Sequence, residues 1–154
     1  MPVRDWSVDT NILLRFFQPE KPEYQDIRRA TDLLWATGAR LHYTSQMLSE
    51  FWNVCTRPVA SNGFGLSIAA TDDCARLLES KLHLVPDSES VHHVWRKIVV
   101  DQQVSGLQVH DARIVATLRA NGIDQLLTLN AKDFRRYPGL AVERPIDVVA
   151  RLGE

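Results

Sequence analysis

The sequence predicts an α/β fold in which one parallel sheet carries helices on both faces. Short apolar stretches alternate along the 154-residue chain with longer segments whose apolar residues recur every three or four positions. Strands separated by one or two helices cannot pair as hairpins, so we expect them to lie parallel in one sheet. The length and the 45% hydrophobic content are typical of one compact globular domain, which we place at residues 1–154.

The first half of the chain predicts three strands, each followed by at least one helix. Thr44 and Ser45 are both suitable N-caps for the helix after the second strand, and Pro58 prevents that helix from running much further. The predicted elements are, in order, a strand at 6–8, a helix from Ile12 to Phe17, a helix from Tyr24 that ends before Gly38, a strand at 41–43, a helix carrying Met47 to Cys55, a helix at 67–78 and a strand at 82–85.

The second half repeats the alternation. Asn121 and Gly122 stop a helix, and Pro145 is well placed as the first residue of the terminal helix. The predicted elements are helices at 88–100 and 109–120, a strand at 125–128, a short helical piece at 131–137, a strand at 140–142 and a helix through Leu152. In such sheets ligands bind beyond the carboxyl ends of the strands, at the point where the winding reverses.

Four acidic residues are candidates for a site at that edge of the sheet. Asp9 directly follows the first strand, Glu50 lies on the flank of an apolar helix stripe, and Asp133 follows the strand at 125–128. Asp111 precedes three apolar residues at helical spacing, so it lies on the face of its helix that is buried. A carboxylate on such a face requires a cation or several hydrogen-bond donors.

Each of these acids also has a purely structural interpretation. Asp9 is a favoured helix N-cap, and Asp111 is stabilised at a helix start by the helix dipole. Glu50 is compatible with a solvated helix position, and Asp133 with a turn. If the four converge, hard divalent cations such as Mg²⁺ or Mn²⁺ would relieve their repulsion. A cation held there would activate water against a phosphodiester, and no protein nucleophile would be required.

Composition excludes several other classes of protein. The formal net charge of −1 is not that of a basic nucleic-acid coat protein, so a nucleic-acid function has to rest on a site. No apolar run approaches the roughly 20 residues that span a bilayer, and no signal pattern opens the chain, so we expect a cytoplasmic location and no membrane partner. Cys55 and Cys74 are expected to be reduced thiols.

Four short motifs together resemble the PIN domains, a family that includes the VapC-type toxins of bacterial toxin–antitoxin pairs. The motifs are Val8-Asp9-Thr10-Asn11, Ser45 with Ser49-Glu50-Phe51, His110-Asp111-Ala112, and Thr128-x-Asn130-x-x-Asp133-Phe134. Their order and spacing match the family across nearly the whole chain. The resemblance implies a three-layer α/β/α sandwich with a central parallel sheet of about five strands, Mg²⁺ or Mn²⁺ as cofactor, and endonucleolytic cleavage of RNA.

The resemblance also assigns roles to residues. Asp9 and Asp111 correspond to the core metal ligands, Glu50 to the third acid and Asp133 to the fourth. Many relatives have Asp where this chain has Asn130, which removes one negative charge from a second ion site. The expected supporting polar residues are Asn11, Ser45, Thr128 and Asn130, and the basic residues expected to contact RNA phosphates are Arg113 and Lys132.

By the same resemblance the chain is expected to be the toxin of a pair, with an antitoxin protein as its partner. A homodimer is expected as well, through apolar residues of the helices at 47–55 or 66–78, where the pattern does not separate burial from interface. Two alternatives remain open at this point. One is an RNA-processing nuclease without an antitoxin, and the other is a non-catalytic PIN-like module that binds RNA or protein.

Overall fold

Five strands form one parallel sheet, as the sequence predicts. The computed structural model describes residues 4–154. The strands are β1 (Asp5–Val8), β2 (Arg40–Thr44), β3 (His83–Val85), β4 (Gln125–Leu127) and β5 (Ala141–Glu143). The α-helices are α1 (Thr10–Arg15), α2 (Tyr24–Ala36), α3 (Ser45–Thr56), α4 (Ile68–Lys81), α5 (Glu89–Asp101), α6 (Gln108–Ala120), α7 (Ala131–Phe134) and α8 (Pro145–Leu152).

The order of the strands places the winding reversal at the middle of the sheet. The order is β3-β2-β1-β4-β5, with every neighbouring pair parallel, so the chain moves away from β1 on one side and returns to its other side at β4. Val8 of β1 is in register with Leu127 of β4. The residues that follow, Asp9 and Thr128, therefore leave the sheet side by side at the crevice where ligands bind in such folds.

The helices form the two outer layers of a sandwich. Helix α1 contacts both α2 and α3, α3 contacts α4, α8 packs on α2, and α5 packs along α6 as a separate pair. One cluster of buried side chains joins the sheet to both helical layers. Its members include Trp6, Val8, Leu41 and Leu126 from the strands, Ile27, Leu34 and Phe51 from one layer, and Ile98, Ile114 and Leu118 from the other.

Helix α3 carries Glu50 from the end of β2 toward the crevice. Thr44 is its N-cap, because the Thr44 hydroxyl accepts a hydrogen bond of 3.1 Å from the backbone N–H of Met47. The apolar stripe of Met47, Phe51 and Cys55 is fully buried in the chain's own core. That stripe is thus core rather than a dimer interface, and it leaves Glu50 half-buried on its flank, as the spacing predicts.

The predicted elements are confirmed in type and order, with differences at their ends. The helical piece predicted at 131–137 ends at Phe134, and the last strand begins at Ala141 rather than at residue 140. Tyr137 is buried, as the helical spacing predicts. Its backbone N–H, however, donates to the Phe134 carbonyl in a turn after the helix. The following residue is a proline, which disfavours helical backbone at the position before it.

The cysteines and the helix lengths were also predicted from the sequence. Cys55 is buried and Cys74 is half-buried, and both are free thiols, as predicted. Within residues 4–154 every helix is too short or too polar to cross a bilayer.

Candidate functional site

Asp9 is held at the end of β1 by two hydrogen bonds. Asp9 is buried, with 7% of the residue exposed. Oδ1 accepts a bond of 2.8 Å from the backbone N–H of Thr10, and Oδ2 accepts one of 2.7 Å from the Thr128 hydroxyl. Asp9 is the N-cap of α1, so the structural interpretation of this acid is correct. It does not exclude a ligand role, since an ionised carboxylate has about four lone-pair sites and these bonds use two.

Thr128 connects the polar residues that the resemblance identifies as supporting the acids. Its hydroxyl donates to Asp9 and accepts from the Asn11 side-chain amide at 3.3 Å and from the backbone N–H of Asn130 at 3.1 Å. A hydroxyl has one hydrogen to donate and two lone pairs, so every hydrogen-bonding position of Thr128 is used. The Asn11 amide oxygen in turn accepts from the Leu129 N–H at 3.2 Å. This network joins the loop after β4 to the start of α1.

Glu50 is fixed by two residues that the sequence argument did not identify. The Thr10 hydroxyl donates to its Oε2 at 2.8 Å, and the Gln46 amide donates to its Oε1 at 3.0 Å. Thr10 lies 40 residues away in the sequence, so no local pattern points to that contact. Gln46 precedes Glu50 by four residues on the same helix, and this spacing is a usable indication because such pairs face each other.

Asp111 lies in the first turn of α6 and is half-buried. Within residues 4–154 its carboxylate has no hydrogen-bond or ion-pair partner. Burial, followed by the negative charges of Asp9, Asp133 and Glu50, raises the pKa of Asp111 to about 6, and the charge of His110 opposes this rise. The predicted position on the buried side of the helix is correct, but the carboxylate lacks the partner that such a position requires.

The pKa of Asp9 is raised as well. Burial is the largest cause, and the charges of Glu50 and Asp133 add to it, whereas the hydrogen bonds from Thr128 and Thr10 oppose it. The charges of Glu50 and Asp133 thus act on both aspartates. Although the four acids are distant in the sequence, they lie near enough in the fold for the charges of the others to act on Asp9 or Asp111.

The remaining predicted site residues are more exposed. Asp133 and Lys132 are exposed on α7, and Lys132 forms no ion pair within the described part of the chain. Asn130 is the N-cap residue of α7, but only its backbone N–H is engaged with the site. Ser45 is exposed and makes no side-chain hydrogen bond among residues 4–154. Arg113 forms an ion pair of 3.4 Å with Asp87, so its charge is shared with that acid.

The donor set fits a hard cation better than a zinc ion. Among the residues that the structure describes, no group of three or more His, Cys, Asp or Glu side chains is placed so that together they could hold a metal ion. Zn²⁺ in proteins is usually held by three or four tightly placed nitrogen, sulfur or oxygen ligands. Mg²⁺ keeps several waters and is held by one or two carboxylates. Asp9, with free lone pairs, and Asp111, without a partner, suit that second mode.

Comparisons with known proteins agree with this architecture. A family model described as the PIN domain matches residues 7–140. No curated protein matches the sequence. Among solved structures, VapBC2 from Rickettsia felis, bound to a DNA fragment from its promoter, gives a TM-score of 0.67 at 18% identity, over 91% of this chain and 98% of that chain.

Two further solved structures share the fold. A toxin–antitoxin complex from Klebsiella pneumoniae gives a TM-score of 0.63 at 21% identity and covers 90% of this chain and 96% of that chain. VapC20 from Mycobacterium tuberculosis, described as a toxin that cleaves the sarcin–ricin loop, gives 0.58 at 16% identity, over 83% of this chain and 92% of that chain. At these identities the likeness shows the fold of the chain.

The raised pKa of Asp111 predicts a pH dependence of stability. Because the pKa rises from 3.8 in the unfolded chain to about 6 in the folded one, the stabilising contribution is complete below pH 3.8 and is lost as the pH rises through about 6. In EDTA, we expect the free energy of unfolding to fall over this range more steeply in the wild type than in Asp111→Asn. Urea denaturation across the range measures both slopes.

Asp147→Asn is the matched control for this experiment. The hydrogen bond from Arg144 lowers the pKa of Asp147, so its small contribution is present at neutral pH and is lost as the pH falls below 3.8. Because that contribution changes only below pH 3.8, Asp147→Asn should leave the slope between pH 3.8 and about 6 as it is in the wild type. Equal slopes for the wild type and Asp111→Asn would show that the pKa of Asp111 is not raised in the folded chain.

Proposed function

The chain belongs to the PIN-domain family, and from that premise we propose that it is a divalent-metal-dependent endoribonuclease. The observation that carries the proposal is the effect of the other three acids on Asp111, beside the winding reversal of the sheet. Burial and three neighbouring negative charges raise the pKa of Asp111 to about 6. Carboxylates that oppose one another's ionisation in a crevice are typical of a functional site rather than of a stabilising network.

We propose a role for each residue from its free ligand atoms and its hydrogen-bond partners. Asp9 and Asp111 would hold the cation directly, with Glu50 and Asp133 acting directly or through water. The bound Mg²⁺ or Mn²⁺ would lower the pKa of a water and offset charge on the scissile phosphate. Thr128 orients Asp9, and Asn11 orients Thr128. Thr10, which directly follows Asp9, orients Glu50.

RNA is the substrate that we propose, by analogy with a structural neighbour that is described as cleaving the sarcin–ricin loop. The net charge of −1 means that backbone binding must be local. Lys132 is exposed beside Asp133 and is available for a phosphate contact. Arg113 would contribute only by exchanging its ion pair with Asp87 for a phosphate. We propose a cytoplasmic site of action, which is compatible with an RNA substrate.

Asp9→Asn tests the proposed reaction directly. The substitution keeps the shape of the side chain and removes the charge, so we expect cleavage of single-stranded RNA with Mg²⁺ or Mn²⁺ to fall by at least about 100-fold. EDTA should abolish the wild-type activity. Both are measured by gel assays of end-labelled RNA with purified protein.

Asp124→Asn is the matched control, because Asp124 is exposed just before β4, at the opposite end of that strand. It should cleave RNA as the wild type does. If the wild type and Asp9→Asn act alike on several RNAs, the nuclease proposal is wrong. In that case the non-catalytic module that binds RNA or protein becomes the better interpretation.

We propose further that the chain is the toxin of a toxin–antitoxin pair. Structural neighbours are described as VapBC proteins and as a toxin–antitoxin complex. We expect induced expression of the wild-type chain alone in a bacterial host to arrest growth, and we expect Asp9→Asn not to. Colony counts after induction measure the difference. Tolerated expression of an active nuclease would instead favour an RNA-processing enzyme without an antitoxin.

A homodimer through α4 is the proposed assembly. The candidate stripe on α3 is buried in the core, whereas α4 leaves Ile68 64% exposed and Leu77 48% exposed. We expect light scattering to give twice the 17.5 kDa chain mass, and Ile68→Glu to shift the chain toward monomer. Val100→Glu is the control, since Val100 is exposed on α5. A dimer that persists in Ile68→Glu would show that α4 is not the interface.

A further inference from the structure

Gln46 joins two of the elements that carry the acids. It lies in the first turn of α3, and its side-chain nitrogen donates to Glu50 Oε1 at 3.0 Å and to the backbone carbonyl of His110 at 2.9 Å. His110 directly precedes Asp111 on α6. One amide group therefore connects the third acid to the turn that carries a proposed metal ligand, across 64 residues of sequence.

The orientation of this amide is fixed by its partners. A carboxylate and a carbonyl are both hydrogen-bond acceptors, so only the NH₂ group of Gln46 satisfies them, and both of its hydrogens are used. The amide oxygen is then turned away, and it is buried without a hydrogen-bond partner within the described residues. An unmet buried acceptor is unfavourable for folding. This cost offsets part of the stability that the two donated hydrogen bonds of Gln46 contribute.

We infer that Gln46 is a positioning residue for the proposed metal-binding site. It holds Glu50 toward the start of α6 while Thr10 holds the other carboxylate oxygen, so the Glu50 carboxylate is fixed from two sides. Residues that orient metal ligands in this way act on metal affinity as well as on activity. This inference rests on the proposed function, because it concerns the cation of that reaction.

Gln46→Met tests the inference with Mn²⁺ alone as the probe. Methionine keeps the length of the side chain and removes both the donor and the unmet acceptor. We expect Mn²⁺ affinity, measured by calorimetry and by electron paramagnetic resonance, to fall roughly 10-fold. The melting temperature in EDTA should stay within about 4 °C of the wild type. Gln25→Met, at an exposed position of α2, is the matched control and should change neither quantity.

A double-mutant cycle separates positioning from a general structural effect. If Gln46 acts through Glu50, Gln46→Met should have little further effect on Mn²⁺ affinity in a Glu50→Ala background. Additive losses would overturn the inference. A large fall in melting temperature for Gln46→Met would also overturn it, because that result assigns Gln46 to the stability of the fold.

The outcomes also distinguish this inference from the proposed function. If the wild type binds Mn²⁺, Asp9→Asn does not, and Gln46→Met binds as tightly as the wild type, only the role of Gln46 is wrong. If the wild type binds no Mn²⁺ at all, the proposed function is wrong and the inference is overturned with it.

Discussion

The site depends on a buried carboxylate that is kept beside other negative charges. The register of β1 against β4 sets Asp9 next to Thr128, and the hydroxyl of Thr128 bonds to Asp9 at 2.7 Å. That bond and the one from the Thr10 N–H favour the ionised form of Asp9, while burial and the nearby acids oppose it. The sheet therefore holds Asp9 where its charge is only partly compensated. A hard cation is the kind of group that completes the compensation.

The acids differ in how firmly they are held, and the difference follows from their elements. Asp9 and Glu50 each accept two hydrogen bonds from residues at the ends of β1 and β4 and along α3. Asp111 has no such partner within the described residues, and Asp133 is exposed on a helix of four residues. One side of the crevice is therefore preorganised. On the other side, Asp111 and Asp133 lack such hydrogen bonds within the described residues, and their negative charges oppose each other.

Much of this was predictable from local sequence. The helices and strands follow from the spacing of apolar residues, and Thr44 and Pro145 mark helix starts by rules that act over a few positions. The convergence of Asp9 and Thr128 follows from one further step, because both residues come directly after strands of a parallel sheet. The remaining acids were identified from the short motifs of the family resemblance. The position of Asp111 on the buried face of α6 does not by itself indicate which element it will face.

What was missed lies in polar contacts between residues that are distant in the sequence. The bond from Thr10 to Glu50 spans 40 residues and the bond from Gln46 to His110 spans 64, so no periodicity encodes them. Arg113 is a related case: its position beside Asp111 predicts a phosphate contact, but Asp87 on another loop already holds its charge at 3.4 Å. A polar side chain on a helix has the same pattern whether it faces solvent or a neighbouring element. Only the packing of α3 against α6 shows that Gln46 faces a neighbouring element rather than solvent, because it places the Gln46 side chain beside the His110 carbonyl.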